Sequence, residues 1–130
     1  MPMHSLDKPA RNAIRLGYNR VVTERRPAYV PLPSLDLLFL LAVDAGSGAF
    51  QAGLVRHSDC RFEEGKEEPA TLPETKLYAA SFDFVNGLRA VVDEARLDAP
   101  TAAAVRAVHA ELEVIFRQVA EALLQRRPQP

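Results

Sequence analysis

Cysteine is nearly absent. Cys60 stands alone in 130 residues, so no internal disulfide can form and nothing points to an oxidising compartment. Tryptophan is missing altogether. Histidine is scarce, with only His4, His57 and His109, which leaves little material for a metal centre or a general base. The longest apolar run covers residues 37–43, far short of the roughly twenty residues that span a bilayer. The first ten residues carry His4, Asp7 and Lys8 and no apolar core, so they do not read as a secretory signal. Neither charge sign dominates, and the net charge of −1 gives no bulk attraction to nucleic acid. These absences predict a cytoplasmic protein with no membrane association, and the Ala- and Arg-rich composition is bacterial in character.

What is present is apolar material, 48% of the residues, enough for a true core. The most regular stretch is residues 100–127. Val105, Val108, Leu112, Ile115, Val119 and Ala122 recur at spacings of three and four, with His109, Phe116 and Leu123 widening the stripe. That periodicity predicts one long amphipathic helix packed in a bundle. Asp98 or Thr101 supplies its cap, and Arg126 and Arg127 suit its negative end. Leu77, Phe84, Leu88, Val91 and Ala95 keep helical spacing over 76–97, with Tyr78, Val85 and Val92 beside them. At 34–57, Ser34 reads as an N-cap before Leu37, Leu38, Phe39, Leu40 and Leu41, and leucine favours helix over strand. Ala42, Gly46, Ala49 and Gly53 would continue that helix as a stripe of small residues, or Gly46 and Gly48 would break it.

The expected fold is therefore all-α, a small bundle of about three main helices near 34–57, 76–97 and 101–126, preceded by a Pro-rich, basic N-terminal extension. Residues 1–33 hold half of the ten prolines and a net charge of +4, against −6 for residues 34–99 and +1 for residues 100–130. Proline forces extended backbone on its predecessor, so Tyr29-Val30-Pro31-Leu32-Pro33 reads as a linker. A short basic helix over about 9–24 is one reading of what precedes it, weakened by Gly17; a strand pair near residues 16–22 is the other. The division is then a basic arm at 1–33 and a helical bundle domain at 34–130. Between the helices, Glu63, Glu64, Glu67 and Glu68 surround Gly65 and Lys66, a solvated loop or a docking point for a basic partner.

One local pattern carries a resemblance. Leu41-Ala42-Val43-Asp44-Ala45-Gly46-Ser47-Gly48, running on to Val55, resembles the first phosphate loop of the actin-like and sugar-kinase ATPases. There an apolar strand leads into Asp-x-Gly-Ser/Thr and a second strand returns. The resemblance implies Asp44 near metal-bound phosphates, with Gly46, Ser47 and Gly48 offering backbone amides to them. It covers residues 41–55 only, and Gln51 stands where the returning strand usually has a base. A helix break or tight turn accounts for the same residues.

No catalytic, cofactor-binding or metal-ligating set emerges. His57, Asp59 and Cys60 are close in sequence, but a metal site needs three or four ligands, and no Gly-x-Ser-x-Gly elbow is present. Three readings of function follow. The first is a non-enzymatic protein acting through a helical protein–protein surface, as an adaptor, chaperone, immunity-like factor or regulator. Its interaction seam is Val105, Val108, Leu112, Ile115, Phe116 and Val119, filled by its own helices or by the same helix of a second copy in a homodimer. The second is a nucleic-acid-associated regulator using Arg11, Arg15, Arg20, Arg25 and Arg26. The third is a phosphate or nucleotide binder at residues 44–48.

Overall fold

The leucine run forms the middle of a sheet. In the computed structural model, strand β2 (Leu37–Val43) lies between β1 (Ala28–Leu32) and β3 (Phe50–Arg56), antiparallel to both. Leu37, Phe39 and Leu41 enter the main core, whereas Leu38 and Leu40 are buried on the opposite face with Val55. A strand covered on both faces needs apolar residues at every position, so alternation vanishes and the segment reads like a buried helix. The helix expected at 34–57 is thus replaced by two strands and a turn. Ser34 sits in a short 3-10 turn (Pro33–Leu35), and the supposed small-residue stripe is divided among β2, the turn and β3.

The helix expected over 76–97 is also overturned. It is a hairpin of β6 (Tyr78–Asp83) and β7 (Gly87–Val92). Tyr78, Ala80 and Phe82 are buried while Ala79 and Ser81 are partly exposed, the period of two expected of a strand. Asn86-Gly87 makes the turn: Gly87 has φ +73°, and the Asn86 N–H donates to Asp83 Oδ1 at 2.6 Å. Positive φ at this point is why glycine is required. Val91, placed on the apolar stripe by helical counting, is 75% exposed.

The structure describes residues 7–125 apart from 45, 47, 67, 84 and 85. His4, Ser47, Glu67, Phe84, Val85, Arg126 and Arg127 lie outside these described residues. The main sheet has five strands in the order β1-β2-β3-β6-β7, and a second sheet pairs β4 (Arg61–Phe62) with β5 (Pro69–Thr71). The molecule is therefore mainly β with two helices, and not an all-α bundle.

The Pro-rich segment is no extension either. Helix α1 (Lys8–Glu24) starts at Asp7, whose carboxylate accepts from the Ala10 N–H at 2.9 Å, and stops at Arg25, which turns left-handed at φ 59°. Ile14 and Val21 of α1 and Val30 of β1 are in the main core. Helix α2 (Ala99–Gln125) begins where Asp98 accepts from the Thr101 N–H at 2.9 Å, and it lies on the same sheet face as α1. Tyr18 of α1, Phe50 of β3, Phe82 of β6 and Phe116 of α2 form one aromatic cluster, with Phe82 and Phe116 stacked at 4.3 Å. On the opposite face Cys60, in the segment that follows β3, packs against Leu38, Leu40 and Val55. Among the described residues, no helix is long and apolar enough to cross a membrane.

Candidate functional site

Gly17 is where α1 comes closest to the sheet. A Cβ there would fall 3.0 Å from Val30 Cγ2 and 3.6 Å from Ala28 Cβ. The residue that weakens α1 by propensity is thus the one that seats it against β1. On the other side of β1, the segment 57–66 folds back, with the His57 ring stacked on Phe62 at 5.0 Å. Asp36 anchors this segment by accepting from the Ser58 hydroxyl at 2.7 Å and from the Ser58 N–H at 3.0 Å. The hydroxyl contact above all holds the Asp36 carboxyl below its usual range. Between these two walls, along the outer edge of β1, runs a groove of about 450 Å³.

Ala13, Leu16, Gly17, Ala28, Val30, Pro31, Leu38 and Phe62 supply its apolar lining, and Arg20, Tyr29, His57 and Lys66 its polar groups. Leu16 of α1 is 63% exposed. Among the described residues, no acidic side chain lines this groove. Arg20 pairs with Glu24 and Lys66 with Glu63, both as exposed neighbours within one or two helical or loop turns. Such pairs contribute little and exchange readily.

The edge of β1 has a specific chemistry. The His57 N–H donates to Asp36 O, and the Asp44 N–H to Ala49 O. With the β2–β3 register, these bonds make the even-numbered positions of β2 the ones bonded to β3. The odd-numbered positions therefore bond to Ala28, Val30 and Leu32 of β1. The backbone of Pro27, Tyr29 and Pro31 points away from the sheet, and of these only Tyr29 carries an N–H. Proline at alternate outward positions removes the donors by which a foreign strand would join. The segment read as a linker is a blunted sheet edge, and the groove offers it as an acceptor surface.

The expected seam residues lie elsewhere. Val105, Val108, Leu112, Ile115 and Phe116 are buried against the protein's own sheet, and Val119 is half-buried. The basic residues are dispersed. Arg15 reaches the buried carboxylate of Glu111 on α2, Arg20 and Arg26 both pair with Glu24, Arg25 is the left-handed residue ending α1, and Arg11 is exposed. The two arginines on Glu24, Arg26 first, hold its carboxyl below the usual range. Arg15→Glu is expected to destabilise the fold by about 1–3 kcal/mol, because it sets a second carboxylate against one already removed from water. The figure stays low because the Arg15 side chain is 54% exposed. Urea midpoints check it, and Glu111→Gln in the same chain should recover part of the loss.

At residues 44–49 the chain does make a strand–turn–strand. The Gly48 N–H donates to Asp44 O at 2.8 Å and the Gly46 N–H to Asp44 Oδ1 at 3.3 Å, with Gly48 at φ +74°. These amides close the turn onto Asp44. His57 is taken into the groove, and burial above all raises the Cys60 thiol pKa, opposing thiolate formation. Among the described residues, no three His, Cys, Asp or Glu side chains gather as metal ligands.

His109 joins a polar clasp between β6 and α2. Its Nδ1 is 2.8 Å from the Tyr78 hydroxyl and its Nε2 is 3.4 Å from Glu113 Oε1. A neutral ring protonated at Nε2 accepts from Tyr78 and donates to Glu113. Burial, then the nearby Glu113 charge, raise the Tyr78 pKa well above its ordinary 10.0. A raised folded pKa means that this contribution is complete below about pH 10 and is lost as pH climbs through the alkaline range. The urea midpoint should therefore fall steeply above about pH 10. Tyr78→Phe should flatten that limb while costing about 1 kcal/mol at neutral pH through the lost hydroxyl contact.

Sequence reasoning did not single out Leu16, Phe62 or His57 as groove residues. The one available signal was the spacing of two between Pro27, Tyr29, Pro31 and Pro33, which is a strand period rather than a linker's irregularity. No protein-family model, curated protein or solved structure matches this chain.

Proposed function

We propose that this protein is a non-enzymatic interaction module whose binding surface is the groove along β1. Its occupant is a segment of another protein that presents apolar side chains to Leu16 and Phe62 and a carboxylate to Arg20 or Lys66. The observation that carries this reading is the lining itself: about 450 Å³ of mostly apolar wall with two cations and, among the described residues, no acidic side chain. Apolar walls with a few placed polar groups are the ordinary makeup of a binding cleft. Prolines at the outward positions of β1 argue that the segment docks by its side chains and not as an added strand.

Selection from a random displayed-peptide library tests the proposal. Enriched peptides should combine an aromatic or aliphatic anchor with acidic neighbours, and their amide shift perturbations should map to Leu16, Tyr29 and Phe62. Binding should weaken roughly tenfold or more in Arg20→Glu/Lys66→Glu, equivalent to about 1.4 kcal/mol, and should fall as salt rises. Failure to enrich any peptide, or binding unaffected by the double charge reversal, refutes this reading.

A further inference from the structure

The two edges of the sheet are treated in opposite ways. At β1 proline removes the outward donors at positions 27 and 31 and leaves only the one at Tyr29. At β7 none is removed. The Asp93 N–H donates to Leu77 O at 3.0 Å, and the register pairs Val91 with Ala79 and Arg89 with Ser81. Arg89 and Val91 therefore bond to β6, and the N–H and C=O groups of Leu88, Ala90 and Val92 point away from the sheet. Among the described residues no strand lies beyond β7, Ala90 is exposed, and Val91 is the most exposed large apolar side chain at 75%. A straight, donor-complete edge with an apolar side chain beside it is a site for strand pairing.

We infer that β7 pairs antiparallel with β7 of a second copy of this chain, joining two five-stranded sheets into one. Self-pairing is favoured by the sequence of the strand itself. With a two-fold axis at Ala90, Leu88 of one copy faces Val92 of the other, and each outward N–H meets an outward C=O. On the exposed face, Arg89 then lies opposite Val91 of the second copy, its stem covering that side chain. Its guanidinium comes diagonally beside Asp93 of the second copy on one side and Arg89 of the second copy on the other, each a separation of roughly 7–8 Å between backbones that a long side chain spans. Across the axis there are thus two Arg89–Asp93 attractions against one Arg89–Arg89 repulsion, so the charges favour pairing on balance. Within one copy, Asp93 pairs with the exposed Arg96 at 3.7 Å. This interface leaves α2 and the β1 groove untouched, so it is independent of the function proposed above.

Sedimentation velocity from about 1 μM to about 1 mM tests the pairing. The full chain should pass from monomer to dimer across that range. Ala90→Pro should raise the dissociation constant at least about tenfold, because it deletes an outward N–H while leaving every β6–β7 bond in place; an unchanged far-ultraviolet circular dichroism spectrum confirms that the sheet survives. Arg89→Asp should weaken the dimer comparably, and Arg89→Asp/Asp93→Arg should restore it, an outcome independent of how Ala90→Pro folds. A chain that stays monomeric at about 1 mM overturns the proposal. So does a dimer that ignores both Arg89→Asp and a folded Ala90→Pro.

Discussion

Phe116→Ala is expected to destabilise the protein by about 3–5 kcal/mol, the range for emptying a buried aromatic site. Phe116 is 2% exposed and touches rings from three other elements: Phe82 stacked at 4.3 Å, Phe50 at 5.2 Å and Tyr18 at 6.4 Å. Ring contacts of this kind add about 0.5–1.5 kcal/mol beyond area burial. Because α1, β3, β6 and α2 all meet here, the cavity cannot close by moving one element alone. A loss in this range takes much of the ~5–15 kcal/mol that typically holds a domain together, and should lower Tm by roughly 15 °C for a chain of this size. Thermal and urea unfolding check the value. If Phe116 served instead as a seam for another helix, Phe116→Ala would change the oligomeric state and leave monomer stability nearly intact.

Gly17→Leu carries the second large effect, about 1–3 kcal/mol of destabilisation from overpacking. The opposing term is helix propensity, which favours any ordinary residue over glycine by about 0.5–1 kcal/mol. For Gly17→Ala the two nearly cancel: a Cβ 3.0 Å from Val30 Cγ2 requires a displacement of a few tenths of an ångström, so a change within about 1 kcal/mol is expected. For Gly17→Leu the Cβ already crowds Val30 and Ala28, and the added branch must push between α1 and β1 or into the groove, so steric strain wins. Gly17 also lines the groove, so this variant should lose peptide binding more than Arg15→Glu does at equal loss of stability. Urea midpoints measured beside peptide affinities for the two variants check that comparison.

How far the sequence reveals this molecule depends on whether a segment is covered on one side or two. Helix α2 was legible because it is buried on one face, so its apolar residues keep the helical period, and Asp98 and Pro100 mark its start. β2 was not, because its two covered faces erase the period of two. For β6 and β7, chance matches at helical spacing suggest a helix, and counting them takes no account of Asn86-Gly87, where the conformational requirement lies. The prolines at 27, 31 and 33 did indicate extended backbone, but their shared direction along an edge exists only once β1 is paired. The groove was less legible still. Leu16, Phe62 and His57 are far apart in sequence, and their meeting is a consequence of α1 and the segment 57–66 folding against the same strand.

The account rests on a sheet whose β1 edge keeps a single outward donor, at Tyr29, and whose β7 edge is complete, and amide-resolved hydrogen exchange by NMR at low protein concentration measures that arrangement directly. Slow exchange is expected at Val30 and Leu32, throughout β2 and β3, and at Arg89, Val91 and Asp93. Fast exchange is expected at Tyr29, Leu88, Ala90 and Val92, giving alternate residues opposite behaviour along both edges. Uninterrupted slow exchange from residue 34 through the turn at 44–49 to residue 57, or from 76 through 86–87 to 97, would be the signature of continuous helices and would contradict the account.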